Sequence, residues 1–312
     1  MPTRGEGFMI TSNSNRWGLV LAGGEGTRLK SFTKRIAGYE LPKQFCPVLS
    51  SKPLLRETLD RAARLISPNR TLISVNRKHR GYYSPMLHGA PQLLIEEPLN
   101  RGTAPAILHA LVRLWDLAPS AIVGLFPSDH YIGDEARFAS YADSAFDIAA
   151  DSNAVILLGA EAKGPEQSYG WIEPETSLTS AEQRLFSVRR FVEKPSARLA
   201  NELWRGGALW NTLVLVARLS TLLEMFIRAT PRLYRSFGNT RALLGTVLEA
   251  EVLTRLYHEL PTSGFSEVIL QQNAAKLMVM PLRGVEWCDL GQPGRVMQVV
   301  RQMGVPPPWA VA

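Results

Sequence analysis

A chain of 312 residues with 46% apolar and 20% charged side chains has the composition of a globular protein, neither disordered nor fibrous. Its 35 lysines and arginines against 28 acidic residues leave a formal charge of +7, a modest excess that suits a small anionic partner. No run nears the ~18 consecutive apolar residues of a membrane-spanning helix. Residues 1–15 read as a flexible polar tail rather than a signal peptide. Cys46 and Cys288 offer neither a CxxC pair nor a disulfide framework. Positive charge is spread along the chain apart from one tight group, Arg28, Lys30, Lys34 and Arg35, and no helix carries an aromatic-interleaved basic stripe. The expectation is a cytoplasmic protein with no membrane and no nucleic-acid partner.

Through the first half, apolar runs of strand length alternate with stretches of helical period. Residues 17–21 read as a strand, 52–65 as a helix, 71–75 and 92–96 as strands, 104–117 as a helix, 121–126 as a continuous apolar strand, 135–150 as a helix and 154–159 as a strand. Strands without polar alternation, separated by helices, imply an α/β protein with a doubly wound, mostly parallel sheet, a Rossmann-like core. After Gly159 the pattern changes. Residues 169–172 and 185–191 look like sheet segments bracketing a polar turn at 176–183, and Ser196 caps a helix over 197–205. A strand at 208–216, a mostly helical region at 220–257 and strands at 277–282 and 285–290 follow, and Pro306, Pro307 and Pro308 end regular structure. One domain over 16–300 is expected, with a first half at 16–160, a substrate-binding β/α insertion at 161–300 and a C-terminal tail at 301–312.

The sharpest local signal is Leu19-Val20-Leu21-Ala22-Gly23-Gly24-Glu25-Gly26-Thr27-Arg28-Leu29, a buried strand running into a loop with three glycines and a cation. Glycines let backbone N–H groups approach phosphate oxygens, and Arg28 adds a planar donor fork. The loop lacks the Gly-Lys-Ser/Thr ending of a Walker A motif, and Leu29 sits where a dinucleotide fingerprint has its third glycine. A tight strand-to-helix turn is the competing reading. Soon afterwards comes Pro42-Lys43-Gln44-Phe45. Together the two segments resemble those of the sugar-1-phosphate nucleotidyltransferases, specifically the mannose-1-phosphate guanylyltransferases. The resemblance implies that Leu21, Ala22, Gly23, Gly24, Gly26 and Thr27 hold a nucleotide, and that Arg28 and Lys43 neutralise its phosphates.

Further segments extend the resemblance over residues 17–291. Glu97-Pro98-Leu99-Asn100-Arg101-Gly102-Thr103-Ala104-Pro105-Ala106 is similar to the family segment that lies against the base, and implies nucleotide contacts from Glu97, Asn100 and Thr103. Thr103 could equally cap the helix that follows. Phe126-Pro127-Ser128-Asp129-His130 puts a carboxylate at the end of a buried strand, and Trp287-Cys288-Asp289-Leu290-Gly291 resembles the family's Trp-Ser-Asp-Val-Gly. Asp129 and Asp289 could share one Mg²⁺ with phosphate oxygens, whereas imidazole is a poor magnesium ligand, so His130 reads as structural. Ser168-Tyr169-Gly170-Trp171-Ile172, Phe191-Val192-Glu193-Lys194-Pro195 and Trp210-Asn211 match the sugar side, implying that Tyr169, Gly170, Glu193, Lys194 and Asn211 hold the sugar phosphate. Departures are Gly102 for an Asn, Leu213 for a Gly, Gly264-Phe265-Ser266-Glu267 for Ser-Ile-Asp-Tyr, Gln292-Pro293 for Ser-Trp, and an altered segment after Leu29.

The implied activity is Mg²⁺-dependent transfer of a nucleotidyl group from GTP to mannose 1-phosphate, as in GDP-mannose biosynthesis, with Arg28, Lys43, Asp129 and Asp289 catalytic. Two alternatives stay open: another nucleoside triphosphate and hexose 1-phosphate pair, or a catalytically silent sugar-nucleotide-binding regulatory protein. Exposed apolar residues in the 220–260 helices leave a homodimer open, and the chain is too short to contain the C-terminal isomerase module of longer family members.

Overall fold

The computed structural model describes residues 15–175 and 185–310. The first half runs β1 (Arg16–Leu21), α1 (Lys30–Ala37), α2 (Leu54–Ala62), β2 (Thr71–Asn76), α3 (Arg80–Leu87), β3 (Leu93–Glu97), α4 (Thr103–Leu117), β4 (Ile122–Pro127), β5 (Tyr131–Ile132), α5 (Glu135–Asp151) and β6 (Val155–Glu161). The second half adds β7 (Gly170–Pro174), β8 (Phe186–Glu193), α6 (Ala197–Arg205), β9 (Leu209–Arg218), α7 (Leu219–Ala229), α8 (Pro231–Thr240), α9 (Glu249–Glu259), β10 (Leu277–Pro281), β11 (Trp287–Cys288) and α10 (Pro293–Gln302).

The expected elements are present with ends shifted by a few residues, while α1, α3, β5 and α10 have no counterpart in the sequence reading. Their local signals are weak for identifiable reasons. In α1 only Phe32 and Thr33 are buried, α3 carries Pro85 inside it, and β5 has two residues. The valines of α10, Val296, Val299 and Val300, do follow helical spacing but stand behind Pro293 and Gly294. Ser196 caps α6 as expected, accepting from Leu199 N. The expected polar turn at 176–183 and nearly all of the N-terminal tail lie outside the described residues. Past the three prolines a short 3-10 turn forms at Pro308–Ala310, where Trp309 packs edge-on against Phe32 and its Nε1 donates to Val48 O at 3.0 Å.

Nine strands form one sheet in the order β3-β2-β1-β4-β9-β6-β10-β8-β7. Strands β3, β2, β1 and β4 are mutually parallel, as are β6 and β10, whereas β9 runs against β4, β6 and β7, and β8 against β10 and β7. The sheet is therefore mixed, which corrects the mostly parallel sheet expected from the sequence. The hairpin β7–β8 reverses the chain, and the α6 crossover returns β9 in the direction of β8, between β4 and β6. Helices cover both faces. Leu19 and Val20, adjacent on β1 and so on opposite faces, are both fully buried, the first with α4, α7, α8 and α9, the second with α1, α2, α3, α5 and α10.

Two features of this topology create a site. The chain leaves β1 for β2 and β3 on one side and returns to β4 on the other, so the carboxyl ends of β1 and β4 flank a point where strand order reverses, the place where open α/β sheets bind ligands. In addition, β5 and β11 pair as a separate antiparallel ribbon, Cys288 opposite Tyr131, which carries Asp289 back to the end of β4. No helix among the described residues is long and apolar enough to cross a membrane.

Gly102 explains one departure from the family pattern. Its backbone, φ 83° and ψ 178°, lies where glycine alone is at ease, and a Cβ there would sit 2.4 Å from Ser263 O. Gly102→Ala should cost about 2 to 3 kcal/mol, read as a lower urea midpoint with an unchanged m-value; an unchanged midpoint would mean that the 261–265 loop yields freely.

Candidate active site

The glycine loop follows β1 directly, with Ala22 N still bonded to Ser74 O at 2.8 Å. Its three glycines differ in physical role. A Cβ on Gly23 would lie 2.7 Å from Glu97 Oε1, Gly26 has φ +61° and packs on Pro42 and Lys43, and Gly24 has open space around it. The loop is pinned by Gln44, a buried side chain whose Nε2 donates to Ala22 O at 2.9 Å and to Gly24 O at 2.7 Å. Beyond it Thr27 opens a 3-10 turn, and Arg28 is exposed and unpaired among the described residues.

Lys43 is the pivot. It is only 9% exposed, yet its Nζ stands 3.2 Å from Asp129 Oδ2 and donates to Asp289 O at 2.5 Å and Leu290 O at 3.4 Å. Asp129 sits just past the end of β4, where Ser128 N bonds to Leu21 O at 3.1 Å. Asp289 follows β11, and its Oδ1 accepts from Tyr169 Oη at 2.8 Å, Gly291 N at 3.0 Å and Arg295 Nη1 at 2.8 Å. Burial disfavours its charge, but Arg295, Tyr169 and Lys43 outweigh that and hold the carboxyl below its usual range. His130 is sealed in: burial lowers its pKa, and Trp287 Nε1 donates to its Nδ1 at 3.2 Å, which places the proton of the neutral ring on Nε2, 3.6 Å from Asp129 Oδ1. It belongs to the packing, as its residue type suggested.

A divalent ion fits this donor set. Asp129 and Asp289 offer hard oxygens, and Asp289 Oδ2 accepts from no donor among the described residues. Among those residues no group of three or more His, Cys, Asp and Glu could hold a metal. The chain would thus supply two carboxylates, with phosphate oxygens and water completing the coordination, the habit of Mg²⁺.

Residues expected on the sugar side gather one residue along from Tyr169. A Cβ on Gly170 would meet Glu193 Oε2 at 2.7 Å and Asn211 Cβ at 3.2 Å. Burial raises the Glu193 pKa, and Asn211 is fixed at both ends, its Nδ2 donating to Ser266 Oγ at 3.2 Å and its Oδ1 accepting from Leu213 N at 3.0 Å. Lys194, at φ +45°, is largely exposed and lies 3.6 Å from Glu193. Leu213 holds φ +59° beside an irregularity in the β6–β9 pairing, the backbone that the family's glycine would adopt without strain.

Not every expected residue joins these groups. Asn100 turns back to accept from Gly102 N at 2.9 Å. Thr103 does not cap α4, because it is the first helical residue and its hydroxyl accepts from Phe265 N at 2.8 Å. Gln44, Arg295, Glu166 and Ser74 were missed as supports. Gln44 belongs to the Pro42-Lys43-Gln44-Phe45 motif, but nothing in the sequence announces the partners of the other three.

The nucleotidyl transferase pattern matches residues 17–303. The chain belongs to the nucleotidyl transferase family. Within it, the chain is 29% identical over 293 residues to the xanthan biosynthesis protein XanB of Xanthomonas campestris pv. campestris, covering 92% of this chain and 60% of that one. It is 28% identical over 217 residues to a mannose-1-phosphate guanylyltransferase of Klebsiella pneumoniae, covering 68% and 45% of the two chains. A crystal structure from Thermus thermophilus, of a protein called "mannose-1-phosphate geranyltransferase", superposes with TM-score 0.74 at 30% identity over 89% of this chain and 76% of that one. The chain thus spans about half the length of the curated relatives it matches.

Glu97 gives this nucleotidyl transferase a pH signature. It is 3% exposed, accepts from Ser74 Oγ at 2.6 Å, and burial raises its pKa from 4.5 to about 7. Between those values the folded state keeps a proton that the unfolded chain has released, so stability falls as pH rises through the window and stays low above it. Glu97→Gln removes that loss. In urea titrations at pH 4.5 and pH 8, the wild type should lose on the order of 3 kcal/mol more than the variant; parallel losses would contradict the assignment.

Proposed function

We propose that the chain moves a guanylyl group from GTP to mannose 1-phosphate, releasing pyrophosphate and forming GDP-mannose, with Mg²⁺ held by Asp129 and Asp289. The observation that carries this reading is the buried Lys43 ammonium, held against the Asp129 carboxylate and the main-chain carbonyl of Asp289, beside Gly26 of the glycine loop. The names of the Klebsiella and Thermus relatives support the sugar phosphate.

In the reaction a phosphate oxygen of the sugar phosphate bonds to the α-phosphorus while the bond from that phosphorus to the α,β-bridging oxygen breaks, and the electron pair leaves with pyrophosphate. The attacking oxygen is already an anion, so no side chain has to take a proton. What remains is alignment and charge compensation. Loop amides over residues 22–27, Arg28 and Lys43 would face the phosphates. Glu97, Asn100 and Thr103 would line the base side, the side chains of Asn100 and Thr103 accepting meanwhile from Gly102 N and Phe265 N. Glu193 and Asn211 would read sugar hydroxyls, with Gly170 leaving room and Lys194 free to swing onto the sugar's phosphate. The metal would offset charge on the transferring phosphate.

Leu213 favours keeping a second reading, transfer to a different hexose phosphate or from a different nucleotide, because a leucine replaces the family's glycine two residues from Asn211. Pyrophosphate release across four nucleoside triphosphates and several hexose 1-phosphates with Mg²⁺ separates the two. GTP with mannose 1-phosphate should give the highest kcat/KM; no release with any pair would leave a sugar-nucleotide sensor instead. Lys43→Ala and Asp129→Ala should each lower turnover by ~10² to 10³ with the circular dichroism spectrum unchanged. Near-normal turnover in Asp129→Ala would defeat the metal assignment.

A further inference from the structure

Arg295 lies in the first turn of α10, six positions past Asp289, in a stretch where this chain departs from the family pattern. Both terminal nitrogens of its guanidinium are engaged. Nη1 donates to Asp289 Oδ1 at 2.8 Å, and Nη2 donates to Glu166 Oε2 at 2.5 Å and Ser168 Oγ at 3.1 Å. Its Cζ lies 4.5 Å from the centroid of the Tyr169 ring, whose own hydroxyl donates to the same Asp289 oxygen. Glu166 is in turn held by Ser168, which donates to its Oε1 from both N and Oγ. The side chain of Arg295 is 16% exposed and that of Glu166 31%, so the brace is half-buried, lining a cavity together with Tyr169.

The brace has a directional consequence. With Tyr169 Oη, Gly291 N and Arg295 Nη1 all on Oδ1, turning the Asp289 carboxylate would break three bonds at once, and Oδ2 is left for something other than the chain. We propose that Arg295, anchored by Glu166, Ser168 and the Tyr169 ring, is a positioning residue that commits one oxygen of Asp289 to the protein and presents the other to the bound divalent cation. This rests on the reading of Asp289 as a cation ligand. Groups that hold a ligating carboxylate from behind typically contribute 10- to 100-fold to metal affinity.

The test is binding of Mn²⁺ to the full chain with GTP and no sugar phosphate, so that nothing turns over, followed by loss of the free Mn²⁺ electron paramagnetic resonance signal. Arg295→Met should raise the Mn²⁺ Kd by about 10- to 100-fold. Arg295→Lys, which keeps the charge but not the fork, should recover part of that loss. Glu166→Gln leaves the arginine in place and loosens its anchor, so it should weaken Mn²⁺ by a smaller factor, and it carries the test if Arg295→Met fails to fold. Wild-type Mn²⁺ affinity in Glu166→Gln and in folded Arg295→Met, with Asp289→Asn weakened, would overturn the proposal while sparing the cation site. Wild-type affinity in Asp289→Asn would overturn the cation site itself, and this inference with it.

Discussion

One buried ammonium holds the site of this protein together. Lys43 brings the end of β4, through the Asp129 carboxylate, against the turn after β11, through the carbonyls of Asp289 and Leu290. Its own segment is locked to the glycine loop by the neighbouring Gln44. Burying an ammonium is expensive unless it is paired and hydrogen-bonded, and here the pairing is supplied by segments that come together only in the complete fold. Truncating the lysine would leave the Asp129 carboxylate and the carbonyls of Asp289 and Leu290 facing an empty position.

The fold places these groups by two devices. The reversal of strand order around β1 and β4 opens the crevice, and the β5–β11 ribbon delivers Asp289 into it from far along the chain. A second layer then fixes the aspartate: Arg295 and Tyr169 grip one oxygen, while Trp287, from the same ribbon, locks the His130 ring beside Asp129. Gly170 continues the line from Tyr169 to Glu193 and Asn211, so one short segment links the surroundings of Asp289 to that second group.

Much of this was legible beforehand, because strand-length apolar runs and glycine-loop spacing are local signals. The residues of β1, β4 and β6 are buried on both faces and read as continuous apolar runs. Sheet direction was not legible: a run such as that of β9 is equally apolar whichever way it points, and its reversal depends on the preceding hairpin. The two-residue strand β5 falls below any periodicity test, and the pairing of β5 with β11, itself inside the expected 285–290 strand, leaves no local signal. Arg295 was invisible for another reason, since its partners Glu166 and Ser168 are more than a hundred residues away and ion-pair geometry leaves no trace in spacing. Thr103 shows the opposite case, a strong local capping signal overridden by the tertiary partner Phe265.

Crystals grown with Mn²⁺ and a non-hydrolysable GTP analogue would show whether Asp129 and Asp289 share one ion. An anomalous difference peak bridging the carboxylates of Asp129 and Asp289, with the analogue's phosphates along the glycine loop, is the result this account predicts. A peak bound elsewhere, or phosphates lying away from residues 22–28 while the two aspartates keep only their protein partners, would contradict it.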